Sequence, residues 1–405
     1  MKALEENPEG ISKAEIVVGI PSYNEASFIS FPTQQADKGL TKYYGERSAV
    51  IINCDNYSED DTRQAFMQTA TQTPKIYLST EEGVRGKGNN LKNLFTKVVE
   101  LSAKAVIVVD ADLKSITPFW IRDLGNPLFD SYDFVAPLYV RHKYDGTLTT
   151  NIAYPLTRAL YGRRIRQPIN GDYGFSGRLA EKYAESEFWT ETAANFGIDI
   201  WMTTTAMRNR VSVIQSFMGK PKIHKPKDQI VATVSVFRDV IETMFQLMDQ
   251  FELFWKEVKW SRPTAVYGMN LGDPEVPPPV ELDTKALAEN FLAGLRAHRD
   301  EYKAILNPQN VNKLQEVAEL PQTGFEFPTG LWAKVVYDFA VAYKRKLLPT
   351  EELIGVLLPL FYGKTWSFIL ETQPMNTQQV EEFIEDQCLQ FEKAKPYLVE
   401  RWFSE

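Results

Sequence analysis

The chain has 405 residues, 44% hydrophobic and 24% charged, which is the balance of a folded globular protein and excludes wholesale disorder or collagen-like character. Its 53 acidic and 45 basic residues leave a formal net charge of −8, which argues against a nucleic-acid partner, since that needs a broad basic footprint. Two cysteines, Cys54 and Cys388, build no disulfide framework and fit a reducing cytoplasm, while three histidines limit any metal site to carboxylates plus one or two imidazoles.

The first residues, Met1-Lys-Ala-Leu-Glu-Glu-Asn-Pro, lack the apolar segment of a secretory signal. Apolar runs of β-branched character then recur at Glu15–Ile20, Ala49–Cys54, Lys75–Leu78, Ala105–Asp110 and Asp133–Val140. Each is bounded by turn residues, and the runs at 16–20 and 105–109 show no polar alternation, so they read as strands buried on both faces of a parallel sheet. Leu91, Leu94, Phe95, Val98 and Val99 recur at helical spacing between them. Strand and helix alternate, which predicts an α/β domain over residues 1–230.

Residues 231–405 change character. Phe237, Val240, Ile241, Met244, Phe245, Met248 and Phe251 form one apolar helical stripe. A connector over 262–283 follows, stiffened by Pro263, Pro274 and Pro277–Pro279. Asp283 is placed to cap a helix running through Leu287 and Phe291 toward Ile305. Trp332–Tyr343, Glu351–Leu358, Thr365–Leu370 and Gln378–Phe391 read as further helices. The longest apolar run, around Leu353–Phe361, is broken by Gly355 and Pro359 and falls short of the roughly 20 residues of a spanning helix, so no membrane partner is expected. Apolar stripes of this length need covering, by the first domain or by a second subunit in a homodimer.

Chemistry-bearing residues cluster where the predicted strands end, which is where open α/β sheets bind ligands. Asp110-Ala-Asp112 offers two carboxylates one residue apart, a pattern suited to a hard divalent cation that also holds phosphate oxygens, and equally to ordinary loop capping. Pro21-Ser-Tyr23-Asn-Glu25 turns from the first strand into a helix, with Glu25 able to accept from a base or a ribose and Asn24 able to act as a cap. Asp55 lies in a polar strand-end turn. Gly86-Lys87-Gly88 places a cation at a helix start, where an anion is favoured, but without P-loop spacing. Asp199 is an acid within an apolar segment, so it is bound or paired. Lys222-Ile-His224-Lys225-Pro-Lys227 is a basic spot that could face a diphosphate, with an imidazole able to ligate metal. Each of these also has a purely structural reading. No Gly-x-Gly-x-x-Gly follows the first strand, which disfavours a dinucleotide-dependent dehydrogenase.

In that order, Pro21-x-x-Asn24-Glu25, the Asp55 loop, Arg85-Gly-Lys87-Gly and Asp110-x-Asp112 resemble the nucleotide-sugar glycosyltransferases of GT-A fold. Arg166-Gln-Pro-Ile-Asn-Gly171-Asp172, Gly197-Ile-Asp199 and His224 resemble the retaining group that includes mannosylglycerate, glucosylglycerate and glucosyl-3-phosphoglycerate synthases, over about residues 14–230. The resemblance implies a GT-A domain that is Rossmann-like with a mostly parallel sheet, followed by the all-helical region. It implies a Mg or Mn cofactor held by Asp112 and His224. Pro21, Tyr23, Glu25, Asp55, Lys87, Asp110 and Lys225 would line the nucleotide-sugar donor, UDP-glucose or GDP-mannose. Arg141, His142 and Gly171 would meet a small glycerate-like acceptor, with Asp172 and Asp199 as the catalytic acids beside it. The implied reaction is hexosyl transfer that retains the anomeric configuration, as in compatible-solute synthesis. Two alternatives stand beside it: an inverting GT-A enzyme acting on a glycan or lipid-linked acceptor with Asp199 as base, and a sugar-nucleotide-binding protein without turnover.

Overall fold

The computed structural model describes residues 4–224, 229–269 and 275–404. The chain forms two compact units, neither continuous in sequence: one of Met1–Arg141, Gln167–Thr233 and Thr264–Pro278, the other of His142–Arg166, Val234–Pro263 and Pro279–Glu405.

Among the described residues, the first unit is built on nine strands: β1 (Glu5–Glu6), β2 (Ile16–Ser22), β3 (Ala49–Asp55), β4 (Lys75–Ser79), β5 (Ala105–Val108), β6 (Phe134–Leu138), β7 (Tyr173–Ser176), β8 (Val213–Phe217) and β9 (Val266–Tyr267). Their order in the sheet is β1-β4-β3-β2-β5-β7-β6-β8-β9. Five neighbouring pairs are parallel, and β1–β4, β5–β7 and β6–β7 are antiparallel. Every residue of β2 and β5 is buried, as their unbroken β-branched runs require, because helices such as Ser30–Tyr44, Lys87–Glu100 and Pro118–Phe129 cover the sheet. The predicted α/β domain with a mostly parallel sheet is therefore present.

The strand order has a functional consequence. From β2 the sheet grows one way through β3 and β4 and the other way through β5, so β2 and β5 flank a topological switch point, the place where open α/β sheets bind ligands beyond the carboxyl ends of their strands. Because β7 runs against both β5 and β6, the residues that precede β7 and those that follow β5 and β6 meet at this one edge.

Four expectations are corrected. β1, β7 and β8 were not anticipated, and the proline-bearing connector contains β9, which pairs with β8. The helix capped by the Asp283 side chain ends at Ala297, and a separate helix begins at Arg299. The two helices expected at 351–358 and 365–370 are one, Thr350–Thr372, with Pro359 inside it. That helix is long and apolar enough to cross a membrane by length and composition, and 72% of its most apolar window is buried inside the protein.

The second unit is helical. Residues 142–166 belong to it because they are bonded to its later helices: Gln387 donates to the Thr150 carbonyl at 2.7 Å, Trp332 to the Asn151 carbonyl at 2.7 Å, and Arg158 pairs with Glu385 at 2.6 Å and Glu392 at 2.8 Å. The stripe from Phe237 to Phe251 is buried within the single chain, so it calls for no second subunit.

Candidate active site

The site forms at the switch-point edge of the first unit. The turn after β2 is locked to the loop after β3. The Ser22 hydroxyl donates to Asp55 Oδ1 at 2.6 Å, the Asn24 N–H to Ser58 Oγ at 2.8 Å and the Glu25 N–H to Thr62 Oγ1 at 2.8 Å. Asp55 also accepts from the Ser58 N–H, the Ser58 hydroxyl and the Tyr77 hydroxyl, at 2.7, 2.7 and 3.0 Å. Its carboxylate is committed to holding this turn together, and a base could reach it only by displacing one of these bonds. Pro21 lies buried inside β2, so it shapes the strand end rather than lining a surface. Tyr23 faces outward more, with the Arg85 guanidinium 4.9 Å from its ring centre, and Glu25 is buried beside it.

Gly86 and Gly88 serve packing. A side chain at Gly88 would fall on the Ala193 carbonyl and one at Gly86 on that of Ala194, and Gly86 also has φ +112°. This close approach of the helix Lys87–Glu100 to the segment before Asp199 aims Lys87 inward. Lys87 Nζ lies 2.8 Å from Asp110 Oδ1 and 3.4 Å from Asp199 Oδ1. Burial would lower the Lys87 ammonium, but Asp110 and Asp199 outweigh it and hold it above its ordinary value. Asp199 Oδ1 is buried and, among the described residues, receives no directed hydrogen bond beyond this ion pair with Lys87. Burial raises the Asp199 carboxyl despite the neighbouring Lys87.

Asp110 and Asp112 follow β5. The Asp110 N–H donates to Asp172 Oδ1 at 2.8 Å. The carboxyl group of Asp110 is held by two ammonium groups, Lys87 on Oδ1 and Lys222 on Oδ2, each at 2.8 Å. Burial alone would raise that carboxyl, but Lys222 and Lys87 hold it well below the usual carboxylate range. Asp112 is buried, with Oδ1 3.3 Å from His224 Nδ1. His224 is brought there because the chain after β8 pairs with the loop after Asp112: the Lys114 N–H donates to the Ile223 carbonyl and the Ile223 N–H to Ser115 Oγ, both at 2.9 Å. One ligand atom each from Asp110, Asp112 and His224 lies within 4.8 Å of the others. A carboxylate and an imidazole from Asp112 and His224, with the ammonium-bound Asp110 beside them, suit Mg²⁺ or Mn²⁺, which favour hard oxygen donors and keep positions open for phosphate and water.

Asp172 departs from its expected catalytic place. It is fully buried, accepts from the Tyr139 hydroxyl and pairs with Lys222 at 2.6 Å, so it positions its neighbours and has no surface for a substrate. Gly171 has φ +82°, and a side chain there would fall on Asp110 Oδ2 and stand 2.9 Å from Lys222 Nζ. Arg141 donates to Asn170 Oδ1 at 3.1 Å. His142 belongs to the second unit, where its Nδ1 accepts from the Tyr144 N–H at 3.3 Å; burial and the adjacent Lys143 lower its imidazole. Lys225 and Lys227 lie outside the described residues. Lys222 does not face outward as part of a basic spot but is buried among aspartates, and Tyr139 and Asn170 complete the cluster unanticipated.

No protein-family model matches the chain, and no curated protein matches its sequence. Solved structures similar to it include glucosyl-3-phosphoglycerate synthase from Mycobacterium tuberculosis with Mn²⁺, UDP and glucosyl-3-phosphoglycerate, at 21% identity and TM-score 0.44 over 57% of this chain and 80% of that one. The same synthase with Mn²⁺, UDP-glucose and phosphoglyceric acid gives 21% identity and TM-score 0.43 with the same coverage. A mycobacterial protein gives 19% identity and TM-score 0.44 over 59% of this chain and 76% of that one. At these scores the likeness carries no inference about activity, which rests on the residues themselves.

Proposed function

We propose that the chain is a metal-dependent retaining glycosyltransferase that moves glucose, or mannose, from a nucleoside diphosphate sugar to D-glycerate or a similar small acid. The observation that supports this most is the grouping of Asp110, Asp112 and His224 within 4.8 Å at the switch point, with the Lys87 ammonium beside them. Asp112 and His224 would hold the divalent ion. When bound, it supplies Lewis-acid stabilisation to the departing diphosphate. Lys87, held by Asp110 and Asp199, would add a fixed positive charge at the same edge of the sheet. Tyr23 and Glu25, on the turn locked by Asp55, contact the nucleoside, and Arg141 meets the acceptor carboxylate through its planar fork. In the retaining reading the leaving phosphate oxygen takes the acceptor proton on the face it departs from. The buried free thiols Cys54 and Cys388 fit a reducing cytoplasm as the setting.

The raised carboxyl of Asp199, whose Oδ1 is met by Lys87 only at 3.4 Å, favours a second reading, inverting transfer with Asp199 as the base. One experiment separates the two. UDP-glucose, GDP-glucose and GDP-mannose are crossed with D-glycerate, 3-phosphoglycerate and simple sugars, with Mg²⁺, Mn²⁺ or EDTA, and the product anomer is read by proton NMR. An α-linked product that vanishes with EDTA supports retention. A β-linked product makes Asp199 the base. Donor binding with no product from any pair rejects transfer to this acceptor class.

A further inference from the structure

The Lys222 ammonium has a role that the proposed chemistry does not use. Its Nζ lies 2.8 Å from Asp110 Oδ2 and 2.6 Å from Asp172 Oδ2, and it donates to the Asn170 carbonyl, so three protein oxygens surround it. Lys87 occupies the other Asp110 oxygen. Both Asp110 oxygens therefore face an ammonium group, while Asp112, two residues on, faces His224. We infer that Lys222 is a positioning residue that sets the ligand set of the cation site, pinning Asp110 to Asp172 and leaving Asp112 and His224 to face the cation. This rests on the metal-dependent reading above.

The physical reason is charge matching. A carboxylate oxygen already paired with an ammonium has little left to offer a divalent ion, and an ion on that oxygen would sit roughly 4 Å from the ammonium, where like charges repel even at an effective dielectric of about 20. The cluster holds four carboxylates (Asp110, Asp112, Asp172 and Asp199) against the ammoniums of Lys87 and Lys222. With all four ionised, two negative charges remain, the charge that one divalent ion neutralises. Local sequence is shaped to admit the lysine: Gly171 leaves the space that Lys222 Nζ and Asp110 Oδ2 fill, and the Tyr139 hydroxyl donates to the Asp172 oxygen that Lys222 also meets.

The test is Mn²⁺ affinity of the full chain without nucleotide, read from the free-Mn²⁺ electron paramagnetic resonance signal. Four proteins are compared: wild type, Lys222→Met, Lys222→Arg and the double variant Lys222→Met/Asp110→Asn. Freeing Asp110 while removing a nearby positive charge is expected to tighten Mn²⁺ about tenfold in Lys222→Met. Lys222→Arg keeps the charge and stays near wild type. The double variant removes the ammonium and the carboxylate together and returns to within about threefold of wild type, the coupling that a mutant cycle isolates. A lysine that only supports the fold would weaken Mn²⁺ when removed, so an unchanged or weakened Lys222→Met overturns the inference. If Lys222→Met does not fold, the double variant decides: a loss of about tenfold or more would make Asp110 a direct ligand and overturn it. Wild type that binds no Mn²⁺ overturns the metal-dependent reading and the inference with it, whereas Mn²⁺ binding without the coupling overturns the inference alone.

Discussion

In the first unit Lys87 and Lys222 are buried among aspartates, and in the second Lys364 and Lys395 are buried among uncharged oxygens. Lys364 donates to the Phe327 carbonyl at 3.2 Å and Thr329 Oγ1 at 3.1 Å, and Lys395 to the carbonyls of Ala159 at 3.0 Å, Trp255 at 2.6 Å and Val258. Burial acts on all four and would lower each, but only the second pair is lowered, both to about 8, because Glu371 and Glu326 near Lys364 and Glu392 near Lys395 offset it only in part. Opposed charges raise Lys87 and Lys222 instead. A lysine among carbonyls ties helix ends together and serves the fold. A lysine among carboxylates fixes a charge pattern beyond the strand ends, and there the opposed charges offset the desolvation that all four lysines share.

The contrast can be broken by mutation. Lys222→Met leaves Asp172 buried without its ammonium and Asp110 with Lys87 alone, and is expected to cost about 3–5 kcal/mol in urea denaturation of the metal-free protein, with part of it returned by Mn²⁺. Asp112→Ala is expected to lower glycosyl transfer by roughly a hundred- to a thousandfold in steady-state assays, about 3–4 kcal/mol, while leaving stability little changed. Lys395→Met strips a donor from three carbonyls and is expected to cost about 1–3 kcal/mol, with no dependence on Mn²⁺ and with the turnover of the folded enzyme unchanged.

The smallest effect is in pH. Lys395 and Lys364 titrate near 8 when folded and near 10.5 when unfolded. The unfolded chain holds more protons between those values, so the penalty is fully present below pH 8 and is relieved as pH rises toward 10.5. Lys87 and Lys222 have the opposite sign: their stabilisation is present below about pH 10.5 and is lost as pH rises through their higher folded values. Urea midpoints at pH 7.5 and 9.5 are expected to show a less positive shift in Lys395→Met than in wild type. An equal shift would mean that the carbonyl-bound ammonium is not lowered.

Much of the sheet was legible because parallel strands buried on both faces cannot alternate, and Ile16–Ile20 and Ala105–Val108 do not. β7, Tyr-Gly-Phe-Ser, has no β-branched residue, and β8 carries Gln215 and Ser216 in its middle, so neither reads as a buried strand. Pro359 reads as a helix break but is held inside the long helix, where Gly294 leaves room for its ring. Asp55, Asp110 and Asp112 were legible from their places beyond the predicted strands, whereas His224, after the unanticipated β8, was legible from its basic run and the family resemblance. Lys222 was not, since a lysine between Pro221 and Ile223 in a basic run reads as solvated. Only the return of the chain after β8 puts it against Asp110, a contact 112 residues apart in sequence. Gly171 was visible as a glycine, but the reason for it, the carboxylate it clears, exists only in three dimensions.

The most direct measurement is calorimetric titration of UDP into the metal-free protein and into the protein with saturating Mn²⁺, repeated with Asp112→Ala. Binding that tightens about tenfold or more with Mn²⁺, and loses that gain in Asp112→Ala, is the result expected if Asp112 and His224 hold the ion that receives the diphosphate. UDP affinity indifferent to Mn²⁺, or a gain that survives Asp112→Ala, would contradict it.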